Sequence, residues 1–158
     1  MYQRIVVPMD ESATALAAFQ EAIKLAKITG ARLFLLHVED ISRSALAPVG
    51  LPGMEYIDYG ESHEANVAHS KQYLHELSEQ AVVAGVECES RVLEKFGGNA
   101  AKAVLEVASH LRADLIVMGT HGYSGFMHLI FGSTAESLLH HAKIPVLMVR
   151  HPEEDDDE

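Results

Sequence analysis

Apolar residues fall into two alternating patterns along this chain. Short continuous runs occur at "RIVVP" (4–8), "RLFLLHV" (32–38), "CESRVLE" (88–94), "DLIVMG" (114–119) and "PVLMVR" (145–150). Runs of this length, rich in β-branched residues, predict parallel strands covered on both faces. The run at 88–94 is the most polar, as an edge strand would be. Between the runs, apolar residues recur at helical spacing. Leu16, Phe19, Ile23 and Ala26 share one face after a cap-like Ser12, and Val67, Leu74, Leu77 and Ala81 share a second. Ala100, Val104, Val107 and Leu111 follow Asn99 on a third, and Ala135, Leu138, Leu139 and Ala142 mark a fourth. Gly30 and Gly85 follow the first two stripes, where a left-handed residue that ends a helix is best supplied by glycine. All four stripes read as core.

Strands and helices in strict alternation imply right-handed βαβ crossovers. The expected fold is α/β: a doubly wound, five-stranded parallel sheet with helices on both faces, Rossmann-like. Residues 39–60 form the one long irregular stretch, a length that marks a functional or mobile loop. In such a sheet, ligands sit beyond the carboxyl ends of the strands, where the winding reverses. Pro8, Met9 and Asp10 follow the first strand, Val38 closes the second and Gly119 closes the fourth, so three loops converge on one crevice.

The chain's 158 residues suit one domain, placed at 1–150. The remainder, 151–158, ends "HPEEDDDE", a block of like charge expected to stay solvated. The formal net charge of −11 argues against nucleic acid as a partner. No apolar run approaches a membrane span, so no membrane partner is expected. "MYQRIVVPMD" lacks the pattern of a secretory leader, and a cytoplasmic location is the expectation. Cys88 is the sole cysteine, which excludes an internal disulfide.

Candidate chemistry concentrates in "MGTHGYSGFMHLIFGSTAESLL", residues 118–139. Two standard nucleotide loops are absent. A phosphate loop of the Walker kind needs lysine directly before the Ser or Thr that opens its helix, and here Gly132 precedes Ser133. The dinucleotide G-x-G-x-x-G spacing does not follow the first strand. Yet Gly119 and Gly122 remove side chains that would keep a ligand from backbone amides. Gly132, Ser133 and Thr134 begin a helix, whose unpaired N–H groups attract anions. Alternatively Ser133 only caps that helix; the residues alone leave both readings open.

The spacing Gly119-x2-Gly122-x9-Gly132-Ser133, set between "DLIVMGTH" and "AESLLHHAKIPVLMVR", resembles the ATP-binding signature of the universal stress protein family. "IVVPMD", "ARLFLLHV" and "IPVLMVR" resemble that family's first, second and last strands, so the likeness spans residues 2–150. One departure is Glu11 before Ser12, where the family often has glycine then serine. The resemblance implies that Pro8, Met9 and Asp10 lie along adenine and ribose, and that the Val38 backbone meets the adenine. It further implies that Met118, Gly119, Gly122, Gly132, Ser133 and Thr134 surround ribose and phosphates. His121, between two signature glycines, is a candidate phosphate contact. Asp10 is the candidate ligand for Mg²⁺, since hard cations prefer oxygen.

Other chemistries have less behind them. His63, His69 and His75 are six apart and do not share a helix face, and no H-x3-H pair suggests zinc. No serine stands in a G-x-S-x-G turn. The expectation is therefore a cytoplasmic, ATP-binding stress-response protein acting as sensor or binding module, with slow ATP hydrolysis at most. The alternative is a dimeric adaptor that needs no nucleotide. A homodimer is expected through the last strand, where Val146, Leu147, Met148 and Val149 form an apolar edge that natural proteins usually cover.

Overall fold

The computed structural model describes residues 1–42, 59–120 and 132–151. The elements run β1 (Arg4–Pro8), α1 (Ala13–Thr29), β2 (Arg32–Asp40), α2 (Tyr59–Val83), β3 (Cys88–Lys95), α3 (Ala100–His110), β4 (Leu115–Gly119), α4 (Ser133–His141) and β5 (Val146–Val149). The five strands form one sheet in the order β3-β2-β1-β4-β5, with every pairing parallel. This is the doubly wound α/β arrangement expected from the pattern, and β3 and β5 are its edges.

The core lies on both faces of β1. Ile5 and Val7 pack with residues of α1 and α2 in one cluster; Val6 faces the other way, among residues of α3 and α4. All three are fully buried, and each such side chain contributes roughly 1.5–3 kcal/mol. Two stripe residues behave otherwise: Leu16 and Leu139 are 37% and 41% exposed. α1 presents Ala15, Ala18, Phe19, Ala22, Ile23 and Ala26 to the sheet instead. Leu16 lies at the rim of that face, about 100° around the helix from Ala15. α1 ends as expected at Gly30, whose φ of 74° is left-handed.

The sheet is stepped. Pro8, the last residue of β1, pairs with Leu36, and β2 continues from His37 to Asp40. β3 keeps pace, so that Asp40 pairs with Lys95. The two strands thus rise roughly 13 Å above the end of β1, at about 3.3 Å per residue. β2 is two residues longer than its apolar run, because its polar end "ED" is held by β3 pairing and not by burial. α2 likewise begins at Tyr59, inside the stretch read as irregular through residue 60; residues 43–58 of that stretch lie outside the described residues, as do 152–158 of the acidic tail. Among the described residues, no helix is long and apolar enough to cross a membrane.

At the opposite end of the sheet, Asp114 accepts the backbone N–H groups of Gln3 (2.8 Å) and Arg4 (3.0 Å), which registers the start of β4 on β1. Asp114→Ala is expected to lower stability by about 1 kcal/mol, read as a shifted urea midpoint with an unchanged slope.

Candidate functional site

The step and the winding reversal together leave a crevice of about 830 Å³ above β1 and β4. Its floor is Pro8 from β1 with Met9 and Asp10 just beyond it, and Met118 and Gly119 from β4. One wall is the raised end of β2 and β3, including Val38, Asp40 and Lys95; the other is the start of α4, with Gly132, Ser133 and Thr134. Every predicted site residue within the described segments therefore lines one cavity. His121 and Gly122 fall in 121–131, outside the described residues.

Local bonding explains how each part is placed. Met9 donates its N–H to Leu36 O at 2.7 Å, and its own carbonyl lies 2.7 Å from His37 Nδ1. His37 Nε2 meets Glu39 at 3.0 Å, and Ser70 of α2 donates to the same carboxylate at 2.6 Å. The floor is thus tied to the wall and to α2. Asp10 Oδ1 accepts the Ser12 N–H at 2.8 Å, a turn that fixes the carboxylate at the end of β1. Glu11, the departure from the family pattern, is paired with His69 of α2 and is not among the described residues lining the crevice.

The helix starts differ in a way that bears on function. Ser12 Oγ caps α1 by accepting the Ala15 N–H at 3.2 Å, and Asn99 Oδ1 caps α3 by accepting the Ala101 N–H at 2.9 Å. α4 is capped by Gly132, with no side-chain hydrogen bond. Ser133 is its first helical residue and is exposed, which disposes of the reading that Ser133 merely caps the helix. The first-turn amides of α4 have no partner within their helix, and they open on the crevice. Gly132 donates its N–H to Thr120 O at 2.8 Å, which ties the start of α4 to the residue that follows β4.

Gly119 also has a packing reason for being glycine. A Cβ there would stand 2.7 Å from both the carbonyl carbon and Oγ1 of Thr14. The missing side chain admits the first turn of α1 against the end of β4. No pattern within either segment signals this contact, which joins residues distant in sequence.

Among the lining residues that the sequence did not mark as site residues are Asp40, Lys95, Gly98 and Asn99. Asp40 Oδ1 accepts from Ser42 N (3.0 Å), Ser42 Oγ (2.6 Å) and Gly97 N (3.1 Å). The Ser42 hydroxyl above all, then the Gly97 and Ser42 amides, hold this carboxyl below its ordinary range, and Lys95 adds to the effect. This contribution to stability is present above the unfolded carboxylate pKa and is lost as pH falls through the lowered one. Lys95 Nζ donates to the carbonyls of Gly97, at 3.1 Å, and Gly98. The signal available was "EKFGGN", two glycines and an asparagine at a strand's carboxyl end.

A second groove, of about 780 Å³, runs between mid-helix residues of α2 such as Lys71 and His75 and the flank of β3 at Ser90–Leu93. None of the described strand ends is among the residues lining it.

A profile of the Universal stress protein family matches residues 1–150. The chain belongs to that family. It is 34% identical over 158 residues to a universal stress protein of Methanocaldococcus jannaschii, spanning 98% of this chain and 86% of the relative. Universal stress protein UspA from Lactobacillus plantarum shares its fold with a TM-score of 0.77 and 26% identity, over 94% of this chain and 98% of that one. A universal stress protein solved in complex with cAMP superposes with a TM-score of 0.67 and 25% identity, over 94% and 97% of the two chains.

Replacing Gly119 with alanine is expected to cost about 1–3 kcal/mol, the range for overpacking, because a backbone carbon cannot step aside. Equilibrium urea unfolding of Gly119→Ala measures it; stability equal to wild type would place the reason for this glycine elsewhere.

Proposed function

We propose that this universal stress protein binds ATP in the stepped crevice and acts in the cytoplasm as a nucleotide-dependent sensor or binding module. The observation that carries the reading is the side-chain-free start of α4, directed at the crevice where the winding reverses. Free amides at the positive end of a helix favour phosphate, and the capped starts of α1 and α3 are less available for it. The cAMP complex of a relative supports an adenine nucleotide as the ligand class.

In this reading the phosphates lie on the amides of Ser133 and Thr134 and reach the two hydroxyls. Asp10 takes the ribose or the Mg²⁺ that accompanies ATP. Mg²⁺ needs only one or two carboxylates when phosphates complete its shell. Asp10 suits that role, because the Ser12 N–H engages only one of its oxygens. Among the described residues, no cluster of three or more His, Cys, Asp or Glu would hold a metal without such a ligand. His121 and Gly122 remain candidate phosphate contacts. Hydrolysis is slow at most: the only lysine or arginine among the described lining residues is Lys95, across the crevice from α4, so charge developing on a transferred phosphoryl group lacks a cation there.

The functional unit is a homodimer paired through β5. This strand has β4 on one side and none of the sheet's strands on the other. Leu147 is 37% exposed, while Val146 and Met148 pack partly into the core. A second copy related by a two-fold axis covers that edge.

Three outcomes are expected. Gly132→Val places a branched side chain over the α4 amides and weakens ATP binding about tenfold or more, on the order of 1.4 kcal/mol; calorimetry on the folded variant is the check, and unchanged affinity removes α4 from the site. Asp10→Ala weakens binding more with magnesium present than with EDTA, and equal losses in both conditions would deny Asp10 a metal role. Leu147→Lys moves the protein from dimer to monomer in light scattering at micromolar concentration, whereas a monomeric wild type contradicts the dimer.

A further inference from the structure

The groove between α2 and β3 follows an edge of the sheet and shares no lining residue with the crevice. β3 has β2 on one side and, among the described residues, no strand on the other. The ladder shows which of its backbone groups are engaged. Leu33 donates its N–H to Glu87 O at 2.9 Å, and Ile41 donates to Lys95 O at 2.8 Å. In a parallel pair, alternate residues turn both N–H and C=O to the same neighbour, and the register from Leu33–Cys88 to Asp40–Lys95 is unbroken. Glu89, Arg91 and Leu93 therefore bond to β2, while Cys88, Ser90, Val92 and Glu94 turn their backbone groups outward. α2 serves the start of that edge, where Ser78 Oγ donates to Cys88 O at 3.1 Å. Farther along, no described residue bonds the outward groups of Ser90 and Val92, and both residues line the groove.

The side chains around this edge are selective. Val92 packs with the core under α1 and α2, and Leu93 with the core under α3 and α4, so the groove takes in both faces of the strand. Its α2 side is apolar at Leu74 and Val92. Its charged residues are Lys71 and Arg91, and no carboxylate is among the described lining residues, although acidic residues outnumber basic ones 23 to 12 in the chain. Arg91 is steadied by Glu89 of its own strand at 2.7 Å. Lys71 is exposed. Edge strands commonly carry charge that deters pairing. Lining charge of one sign deters partners of that sign and attracts those of the other.

We propose that β3 receives an added strand, an extended segment of another protein in which acidic and apolar residues alternate. Its main chain pairs with Ser90 and Val92, which supplies affinity, and its side chains supply specificity. The side-chain period of two sends its apolar residues to the α2 face beside Leu74 and Val92, and its carboxylates to the other face beside Arg91. Lys71 adds attraction from α2. The chain's own tail meets only half of this requirement: 152–158 consists of Pro152 and acidic residues alone, and it follows β5 at the opposite edge of the sheet.

The test uses fluorescein-labelled synthetic peptides and wild-type protein, read by anisotropy. A short peptide of alternating glutamate and valine is expected to bind at roughly tens of micromolar. Lysine in place of glutamate, or methylated backbone nitrogens along the pairing edge, is expected to weaken it about tenfold or more. In hydrogen exchange, the bound peptide is expected to protect the Ser90 and Val92 amides and to leave Arg91 and Leu93, already bonded to β2, unchanged. Arg91→Glu and Lys71→Glu are each expected to weaken the glutamate–valine peptide about fivefold and to improve binding of the lysine–valine one. Three wild-type results would overturn the proposal, and none needs a variant to fold. They are no saturable binding of the glutamate–valine peptide below about 1 mM, equal binding of all three peptides, and binding that leaves Ser90 and Val92 exchange unaltered. Tighter binding of a peptide copying residues 151–158 would assign the groove to a second copy of this chain and overturn it as well.

Discussion

The arrangement depends on where the winding reverses. Right-handed crossovers carry α1 and α2 over one face of the sheet and α3 and α4 over the other, so β1 acquires β2 on one side and β4 on the other. The connections leaving β1 and β4 therefore diverge. Main chain filling the gap would need partners for each of its amides and carbonyls. The fold leaves a crevice there instead, and the longer β2 and β3 give it a wall. The contact of Gly119 with Thr14 is the tightest expression of this geometry: β4 ends where α1 begins, on the far side of β1.

The polarity of the crevice follows from the same geometry. All strands are parallel, so every strand presents its carboxyl end to the crevice side and every following helix starts there. Helix starts bring partial positive charge, while Asp10, Glu39 and Asp40 at the ends of β1 and β2 bring full negative charge. A nucleotide is polar in a matching sense, with anionic phosphates at one end and a base rich in donors and acceptors at the other. The glycine cap of α4 stands at the positive side of the crevice and Asp40 at the negative side.

The fold was legible because continuous apolar runs of strand length, separated by helical periods, admit few arrangements. The floor of the crevice and the glycine wall were legible for the same reason, since strand ends are visible in the pattern. Other features depend on partners far away in sequence. Nothing near Gly119 announces Thr14. β2 runs on through Glu39 and Asp40 because β3 pairs with it, and their polar side chains conceal the extension. Leu16 and Leu139 belong to apolar stripes but are partly exposed, since each follows a buried residue, Ala15 or Leu138, by about 100° around its helix. Asp40 and Lys95 read as ordinary surface charges until strand pairing sets them side by side above Val38.

The central claim is that phosphates rest on the uncapped amides of α4. Backbone amide shifts of isotopically labelled wild-type protein, followed during titration with ATP and magnesium, test it at the atoms concerned. The account predicts that Ser133, Thr134 and Ala135 shift most, together with Asp10 and Gly119 across the floor, and that tripolyphosphate alone reproduces the α4 shifts. Saturable binding that leaves those three amides unmoved, or that moves Lys71, His75 and Arg91 in the groove between α2 and β3 instead, would contradict it.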